Sequence, residues 1–455
     1  MAAKKTTKKT TKATTKKRAV KTAKAPKAEE APKPSPVPTY IGDDEHPLIP
    51  RHETLIPTFQ QDLATRDEAI RALCHSMNTE ERRVIVTADE APNPYMLRRP
   101  TSIIEMDIDL GGGFPAGGCC FISGPDNSGK TWLMLKAMAM QQKLYGHACR
   151  IVFALAEGAF PFDQAVNAGL KIAIPDEIIE QWGEWRRLRG FPPFTETELL
   201  GFKEKVGEFY IIRGNTGEEI LQTMLDCVRT NAFSMIGCDS LNGLQPSIDA
   251  EKAIDKFEMR AAHATMLGKF FKKYIPITTG LSGLNQTTVI FTQQVRANQE
   301  RANAAANVQK YMKPYAIAGG YAARHYKLID LMMWDGAKIR KGKDGGPVIG
   351  KRMNWLTEKG KAGTHDNRQG DVAFYYHLGG ADTTGELITS ALQRGVLAKY
   401  GTKWKVARPD TGAVLEDFTA PSQKSLRRML DADFEFELAF RREVLQQAGI
   451  QCLYR

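Results

Sequence analysis

Short apolar runs alternate with longer helical patterns through the middle of the chain. The runs have the length and composition of buried strands, and we predict strands at Cys119–Ser123, Arg150–Ala154, Phe209–Arg213, Ser234–Asp239, Thr288–Gln293 and Leu328–Trp334. The segments between them are of helical length, and the one at Trp132–Met140 is apolar at most positions. Strands separated by helices favour a parallel sheet covered on both faces. The pattern therefore predicts an α/β fold with a mainly parallel central sheet flanked by helices.

The pattern changes on both sides of this central region. Gln61–Met77 has the apolar spacing of an amphipathic helix, and a shorter mixed region after about residue 380 predicts helices at Leu387–Leu397 and Lys424–Gln447. We therefore predict four parts, namely a tail at 1–40, a helical element at 41–97, an α/β core at 98–380 with an insertion at about 174–206, and a small C-terminal α/β lobe at 381–455.

The tail differs from the rest of the chain in charge. Residues 1–27 hold ten Lys, one Arg and no acidic residue, which by itself equals the net charge of +11 of the whole chain. With the Pro-rich stretch Ala31–Pro38 behind it, the tail has too few apolar residues to fold, and we expect disorder. Such a tail suits nonspecific attachment to nucleic acid. A solubilising or localising tail and an organelle transit peptide remain alternatives.

Composition narrows the class of protein. The chain has 455 residues, and a hydrophobic content of 42% is enough for two or three domains with a core. No apolar stretch approaches the roughly 18 residues that span a bilayer, and the N-terminus lacks the apolar core of a secretory signal. The 7 cysteines are odd in number and have no C-x-x-C spacing. We expect a cytoplasmic protein from a reducing compartment, with no membrane partner and no structural zinc.

One segment fits the phosphate-binding pattern G-x-x-x-x-G-K-[ST] and lies between a predicted strand and a predicted helix, where that pattern works. It consists of Gly124, Pro125, Asp126, Asn127, Ser128, Gly129, Lys130 and Thr131. Backbone N–H groups of such a loop and the positive end of the helix hold phosphates, the lysine reaches the terminal phosphates and the hydroxyl binds Mg²⁺. The segment therefore predicts a site for a nucleoside triphosphate with Mg²⁺.

Two carboxylates are predicted at the same edge of the sheet. Asp239 ends an apolar strand, and Glu157 follows another, so both emerge at the carboxyl ends of parallel strands, where ligands bind in such folds. Asp239 is the natural partner of Mg²⁺. A glutamate at the position of Glu157 can polarise an attacking water, although a surface carboxylate in a loop fits the pattern as well.

Taken in order, the motifs from about residue 98 to about 445 resemble the RecA recombinase family. The resemblance rests on the glycine-rich lead-in to the phosphate loop, on Ala156-Glu157-Gly158, on Asn215-Thr216-Gly217-Glu218-Glu219, on Ile290-Phe291-Thr292-Gln293-Gln294-Val295-Arg296, on Glu358-Lys359-Gly360-Lys361-Ala362, and on Gly385-Glu386-Leu387 with Trp404. It implies a RecA-like core that binds ATP and Mg²⁺ and hydrolyses ATP in a DNA-dependent manner.

The resemblance also implies roles for individual residues. Glu157 would orient the water, Gln294 would sense the terminal phosphate, and Lys359 and Lys361 would reach the nucleotide of a neighbouring subunit in a helical filament. Segments 245–260 and 296–320 resemble the two DNA-binding loops. The DNA contacts implied in the second loop are Arg296, Arg301, Lys310 and Lys313.

The implied function is homologous pairing and strand exchange by a filament on single-stranded DNA, with double-stranded DNA as the second partner. Two alternatives stay open, a hexameric DnaB-like helicase and a non-catalytic, nucleotide-gated DNA-packaging protein. The insertion at about 174–206 and Gln164, which stands where the family has a tyrosine that stacks on adenine, depart from the family pattern. Such departures are typical of a divergent branch, and a phage-encoded protein is one candidate.

Overall fold

The computed structural model describes residues 63–78, 97–250, 259–278, 285–297, 315–317, 325–342, 345–361, 363–401, 403–406 and 419–451. The predicted tail lies outside these residues. The chain separates into two compact units, Met1–Leu73 and Cys74–Arg455. Of the first unit only residues 63–73 are described, and they belong to helix α1, Leu63–Met77, within the predicted helix Gln61–Met77.

The remaining α-helices that the structure describes all belong to the second unit. They are α2 Ile104–Asp109, α3 Lys130–Tyr145, α4 Phe162–Ala168, α5 Asp176–Leu188, α6 Glu196–Lys203, α7 Gly217–Thr230, α8 Ser247–Ala250, α9 Met259–Thr278, α10 Thr383–Gln393, α11 Gln423–Ala432 and α12 Phe434–Gln447. None of the described helices is both long enough and apolar enough to cross a membrane.

The strands form one large sheet and two small ones. They are β1 Arg98–Arg99, β2 Phe114–Pro115, β3 Cys119–Gly124, β4 Arg150–Leu155, β5 Glu208–Ile212, β6 Met235–Asp239, β7 Thr288–Ala297, β8 Tyr315–Ile317, β9 Ile329–Arg340, β10 Val348–Gly360, β11 Gln369–Tyr375, β12 Gly380–Ala381, β13 Leu397–Tyr400, β14 Lys403–Val406 and β15 Thr419–Ala420. The large sheet has the order β12-β11-β10-β9-β3-β7-β6-β4-β5, and β8 pairs with β7.

The centre of the large sheet is parallel. Strands β5, β4, β6, β7, β3 and β9 run in one direction, while β10, β11 and β12 add antiparallel pairs on one side. This confirms the predicted α/β class with a mainly parallel sheet. Strand β3 lies between β7 and β9, so the phosphate-binding motif at its end is at the middle of the carboxyl edge.

Both faces of the sheet are covered, because successive residues of one strand enter different cores. In β3, Cys120 and Ile122 pack with α3 and α4, whereas Cys119 and Phe121 pack with α7 and α9. Burial on both faces explains why the strands are continuous apolar runs rather than alternating ones.

The insertion forms two helices, α5 and α6, and Thr195 begins α6 with a capping box. Ile178, Trp182 and Phe202 pack against the core that contains α3, whereas Trp185 and Phe191 stack on each other and remain about half exposed. Its two helices are thus anchored on one side of the sheet.

Two helices predicted in the C-terminal lobe have other boundaries in the structure. The helix predicted at Leu387–Leu397 begins earlier, because Asp382 accepts a hydrogen bond from the N–H of Gly385 as its cap, and Leu397 instead starts β13. The single helix predicted at Lys424–Gln447 is two helices. It breaks at Asp433, whose side chain caps α12 by accepting from the N–H of Phe436 at 3.1 Å.

The lobe packs on the segment that leads into the phosphate loop. The Glu386 carboxylate accepts hydrogen bonds at 2.9 Å from the N–H groups of Ile104 and Glu105 at the start of α2. Arg394 pairs with Glu105, and the fully buried Arg441 donates to the carbonyl of Ser102 at 2.8 Å. Apolar residues of α10, α11 and α12 share one core with Met140 and Leu144 of α3. The lobe is therefore continuous with the core.

Candidate nucleotide-binding site

The phosphate-binding motif forms a tight loop between β3 and α3. Gly129 has φ of 91° and Asn127 has φ of 59°, backbone conformations that most residues avoid. A Cβ on Gly124 would lie 2.3 Å from the carbonyl oxygen of Met333, so a larger residue cannot occupy this position without a shift. Helix α3 begins at Lys130 and directs its N-terminus at the loop. This is the geometry of an anion cradle.

Lys130 bridges the mouth of the loop. Its ammonium donates to the carbonyl oxygens of Gly124 at 3.0 Å and Pro125 at 2.6 Å. Burial lowers the pKa of Lys130, and the nearby carboxylates of Asp126, Asp239 and Glu157 partly offset that effect. The lysine therefore lies among three carboxylates at one edge of the sheet.

Asp239 ends β6, and each of its carboxylate oxygens accepts a hydrogen bond from a threonine hydroxyl. Thr131 donates to Oδ2 at 2.7 Å, and Thr292 of β7 donates to Oδ1 at 2.5 Å. The structure thus brings together the two predicted magnesium residues. A hydroxyl and a carboxylate are ligands that Mg²⁺ accepts, usually with water and phosphate oxygens completing the octahedron.

Glu157 lies in the loop after β4 and accepts a hydrogen bond from the hydroxyl of Ser240. The two loops are also joined by the N–H of Ala156, which donates to the carbonyl of Asp239 at 3.0 Å. A Cβ on Gly243 would come within 2.3 Å of Glu157 Cγ, so glycine at this position leaves room for the glutamate side chain. Glu157 is therefore held at the same edge as the phosphate loop.

Gln294 of β7 contacts the phosphate loop directly. Its side-chain amide donates to Oδ1 of Asp126 at 2.6 Å. Its backbone N–H donates to Oδ1 of Asn242 at 2.9 Å, in the segment that follows β6. Gln294 thus links the loop after β6 to the phosphate loop.

These groups line a single cavity of about 530 Å³. Its wall consists of Asp126, Asn127, Lys130, Thr131, Phe153, Leu155, Glu157, Ala159, Pro161, Gln164, Asp239, Ser240 and Gln294. Gln164, which replaces the tyrosine of the family pattern, lies on this wall, and its amide makes no hydrogen bond with any residue that the structure describes. The cavity is large enough for a nucleotide-sized ligand.

A charged network supports the site from inside the sheet, and it was missed by sequence reasoning. Lys327 is 1% exposed and donates to Gln293 at 3.1 Å and to Asp330 at 2.8 Å. Asp330 also accepts from the hydroxyl of Ser123, the residue before Gly124, at 2.8 Å. These partners come from three different strands, so no local pattern could have revealed them.

Lys351 is a second residue near the phosphate loop that the sequence pattern did not predict. From β10 its ammonium reaches the carbonyl oxygen of Asn127 at 2.5 Å and the carboxylate of Asp335 at 2.7 Å. It therefore braces the tip of the phosphate loop from the antiparallel side of the sheet.

Lys359 and Lys361 are not on the wall of the cavity of their own chain. Strand β10 is antiparallel to β9. In the strand register Lys359 lies opposite Asp330, and Asp330 lies opposite Phe121 of β3, three residues before Gly124. The N–H of Lys361 donates to the carbonyl of Leu328, whose own N–H donates to Cys119 at the start of β3. The two lysines thus lie toward the opposite edge of the sheet from the phosphate loop.

The predicted DNA contacts are described only in part. Arg296 is exposed near the end of β7, where β8 returns alongside it. Arg301, Lys310 and Lys313 lie outside the described residues, so their roles stay predictions.

Fold and site together define an α/β protein with a loop of the phosphate-binding pattern at the middle of its sheet edge. No protein-family model matches the chain. A plasmid RecA protein of Lactococcus lactis subsp. lactis is 25% identical over 318 residues, 70% of this chain and 76% of its own length. The RecA protein of Oleidesulfovibrio alaskensis is 25% identical over 387 residues, 84% of this chain and 92% of its own length.

A further RecA protein, from Geobacter metallireducens, is 28% identical over 315 residues, which is 69% of this chain and 76% of that protein. These similarities extend over most of both chains. They support a distant relationship to RecA proteins, and the architecture is consistent with a RecA-like core.

Proposed function

We propose that this protein is an ATP-dependent recombination protein that forms filaments on single-stranded DNA and promotes homologous pairing and strand exchange with double-stranded DNA. The observation that carries the proposal is the convergence of Lys130, Thr131, Asp239, Glu157 and Gln294 on one cavity. The distant similarity to RecA proteins over most of the chain favours recombination among the functions that use a phosphate-binding loop.

The residues of the cavity fit ATP with Mg²⁺. The phosphate loop and Lys130 would hold the phosphates, while Thr131 and Asp239 would hold the metal ion, which neutralises phosphate charge when bound. Glu157, oriented by Ser240, would position and polarise the attacking water. Gln294 would report the terminal phosphate to the loop after Arg296.

Assembly would complete the site. Because Lys359 and Lys361 do not line the cavity of their own chain, a head-to-tail contact would bring them to the nucleotide of the next subunit. A head-to-tail contact that does not close into a ring generates a helical filament. Such a filament couples ATP hydrolysis to DNA binding.

The function is tested by measuring ATP-dependent binding of single-stranded DNA and strand exchange with Lys130→Ala and a matched control, Lys272→Ala. Lys272 is an exposed lysine on α9, far along the chain from the phosphate loop. We expect Lys130→Ala to abolish ATP binding and every ATP-dependent step, and Lys272→Ala to behave as wild type.

Other outcomes point to the other candidates. ATP-driven unwinding without strand exchange favours a helicase. Loss of all DNA affinity on deletion of residues 1–38 favours a packaging protein, since the recombinase retains ATP-dependent binding through its core.

A further inference from the structure

The contact between Gln294 and Asp126 places a carboxylate where the sensing amide would meet a phosphate. Both side chains line the cavity, and the amide of Gln294 donates to Asp126 at 2.6 Å. Asp126 itself is exposed at the tip of the loop, between Pro125 and Asn127, so its position is not fixed by packing.

Phosphate oxygens and a carboxylate are both anionic acceptors, and hydrogen bonds from an amide to such acceptors are stronger than neutral ones. The NH₂ group of Gln294 has two N–H donors, but the N–H that donates to Asp126 cannot serve a phosphate oxygen at full strength as well. Two anions in the same cavity also repel each other. An incoming triphosphate therefore competes with Asp126 for the amide of Gln294.

We propose that Asp126 is a latch that holds Gln294 on the phosphate loop until a terminal phosphate takes its place. This inference rests on the proposed ATP site and concerns its regulation. A nucleoside diphosphate lacks the competing group and leaves the latch closed. The latch therefore lowers the affinity for ATP relative to ADP, and Gln294 leaves Asp126 only when a terminal phosphate is bound.

The backbone of Gln294 connects its side-chain amide to a second loop. The N–H of Gln294 is bound to Asn242, which follows β6 and precedes helix α8. The latch thus acts on a residue that is already connected to a second loop at the carboxyl edge of the sheet.

The test compares Asp126→Ala with Asp126→Asn by equilibrium binding of fluorescent ATP and ADP analogues, without DNA. Both variants remove the charge, but asparagine keeps an oxygen acceptor for Gln294. Asp163→Ala is the control, since Asp163 is an exposed carboxylate on α4 that does not line the cavity.

We expect Asp126→Ala to raise the ratio of ATP affinity to ADP affinity by about two- to tenfold over Asp126→Asn, the size of one hydrogen bond between neutral groups. In a Gln294→Ala background this difference should vanish, because the latch has lost its partner. Asp163→Ala should leave the ratio unchanged.

Equal ratios in Asp126→Ala and Asp126→Asn would overturn the latch, since charge alone would then account for the effect. Persistence of the difference without Gln294 would overturn it as well. Because the assay contains no DNA, a protein that fails to bind or pair DNA would refute the recombination function and leave this comparison intact.

Discussion

At the scale of single residues, each carboxylate of the cavity is oriented by a neutral donor. Hydroxyls hold Asp239 on both oxygens, the hydroxyl of Ser240 holds Glu157, and the amide of Gln294 holds Asp126. Neutral donors fix the direction of a carboxylate without cancelling its charge. The cavity therefore presents three oriented negative charges beside one lysine, which suits a ligand that arrives with a metal ion.

Glu157→Gln tests the role of the glutamate. The amide keeps the shape and the acceptor for Ser240 but cannot polarise a water, so ATP and DNA binding should persist while turnover falls by about two to four orders of magnitude. Steady-state ATP hydrolysis with single-stranded DNA measures this, and Glu180→Gln on α5 is the control. Wild-type turnover would assign the role to another carboxylate.

Asp107 provides a prediction of pH dependence. It is fully buried, and burial raises its pKa from 3.8 to about 7, while the guanidinium of Arg441 and hydrogen bonds from Thr101 partly oppose the rise. Between these two pKa values the folded protein binds more protons than the unfolded chain, so this group lowers the free energy of unfolding as pH rises.

We therefore expect Asp107→Asn to gain stability relative to wild type as pH increases from about 4 to about 7. The asparagine oxygen still accepts the two 2.7 Å hydrogen bonds from Thr101. Urea unfolding at several pH values measures the difference. A constant difference across that range would show that the carboxyl ionises normally in the fold.

At the scale of elements, the parallel strands are held together by polar contacts as well as by apolar packing. The pair Lys327 and Asp330 joins β9 to β7 through Gln293 and to β3 through Ser123. The ammonium of Lys327 also lies 4.2 Å from the ring centroid of Phe121. The strands that end at the phosphate loop and at Gln294 are thereby fixed to each other.

Lys327→Met should lower the free energy of unfolding by about 3–5 kcal/mol, because it leaves a buried carboxylate without its counter-ion. Adding Asp330→Asn should recover much of the loss, since asparagine carries no charge and still accepts from Ser123. Chemical denaturation of both variants measures this. A double variant no more stable than the single one would show that the charges do not act as a pair.

The element order was predictable because it depends on local patterns. Continuous apolar runs gave every predicted strand of the parallel sheet, although β7 and β9 extend beyond Gln293 and Trp334. The antiparallel strands β10 and β11 were not predicted, and two helix starts in the C-terminal lobe were misplaced because side-chain caps at Asp382 and Asp433 decide them. Capping residues are common elsewhere, so apolar spacing alone did not locate these starts.

The site was predictable as far as it is local. The phosphate loop follows a contiguous motif, and Glu157 and Asp239 follow strands whose carboxyl ends meet at one edge. The partners of these residues come from other strands and are set by register. The contacts of Thr292 with Asp239 and of Lys351 with Asn127 therefore required the fold itself.

At the scale of the whole molecule, the described core and C-terminal lobe share one continuous structure, while Lys359 and Lys361 lie away from their own cavity. Under the proposed function, a single chain lacks the two lysines that complete its ATP site. Activity should then depend on the surface between neighbouring copies.

Mixing two inactive variants tests this dependence. Lys130→Ala retains both lysines, and the double variant Lys359→Ala with Lys361→Ala retains the phosphate loop. Each should hydrolyse ATP poorly alone, and their mixture should regain part of the DNA-dependent activity, because some interfaces join an intact loop to intact lysines. A mixture no more active than its components would place both lysines outside the reaction.

Under the proposed function, ATP drives assembly of this protein into a filament on single-stranded DNA. Negative-stain electron microscopy with single-stranded DNA and a slowly hydrolysed ATP analogue, compared with a nucleotide-free sample, tests it most directly. We expect helical filaments that form only with the nucleotide. Closed rings would contradict it in favour of a helicase, and disordered aggregates that vanish on deletion of residues 1–38 would contradict it in favour of DNA packaging.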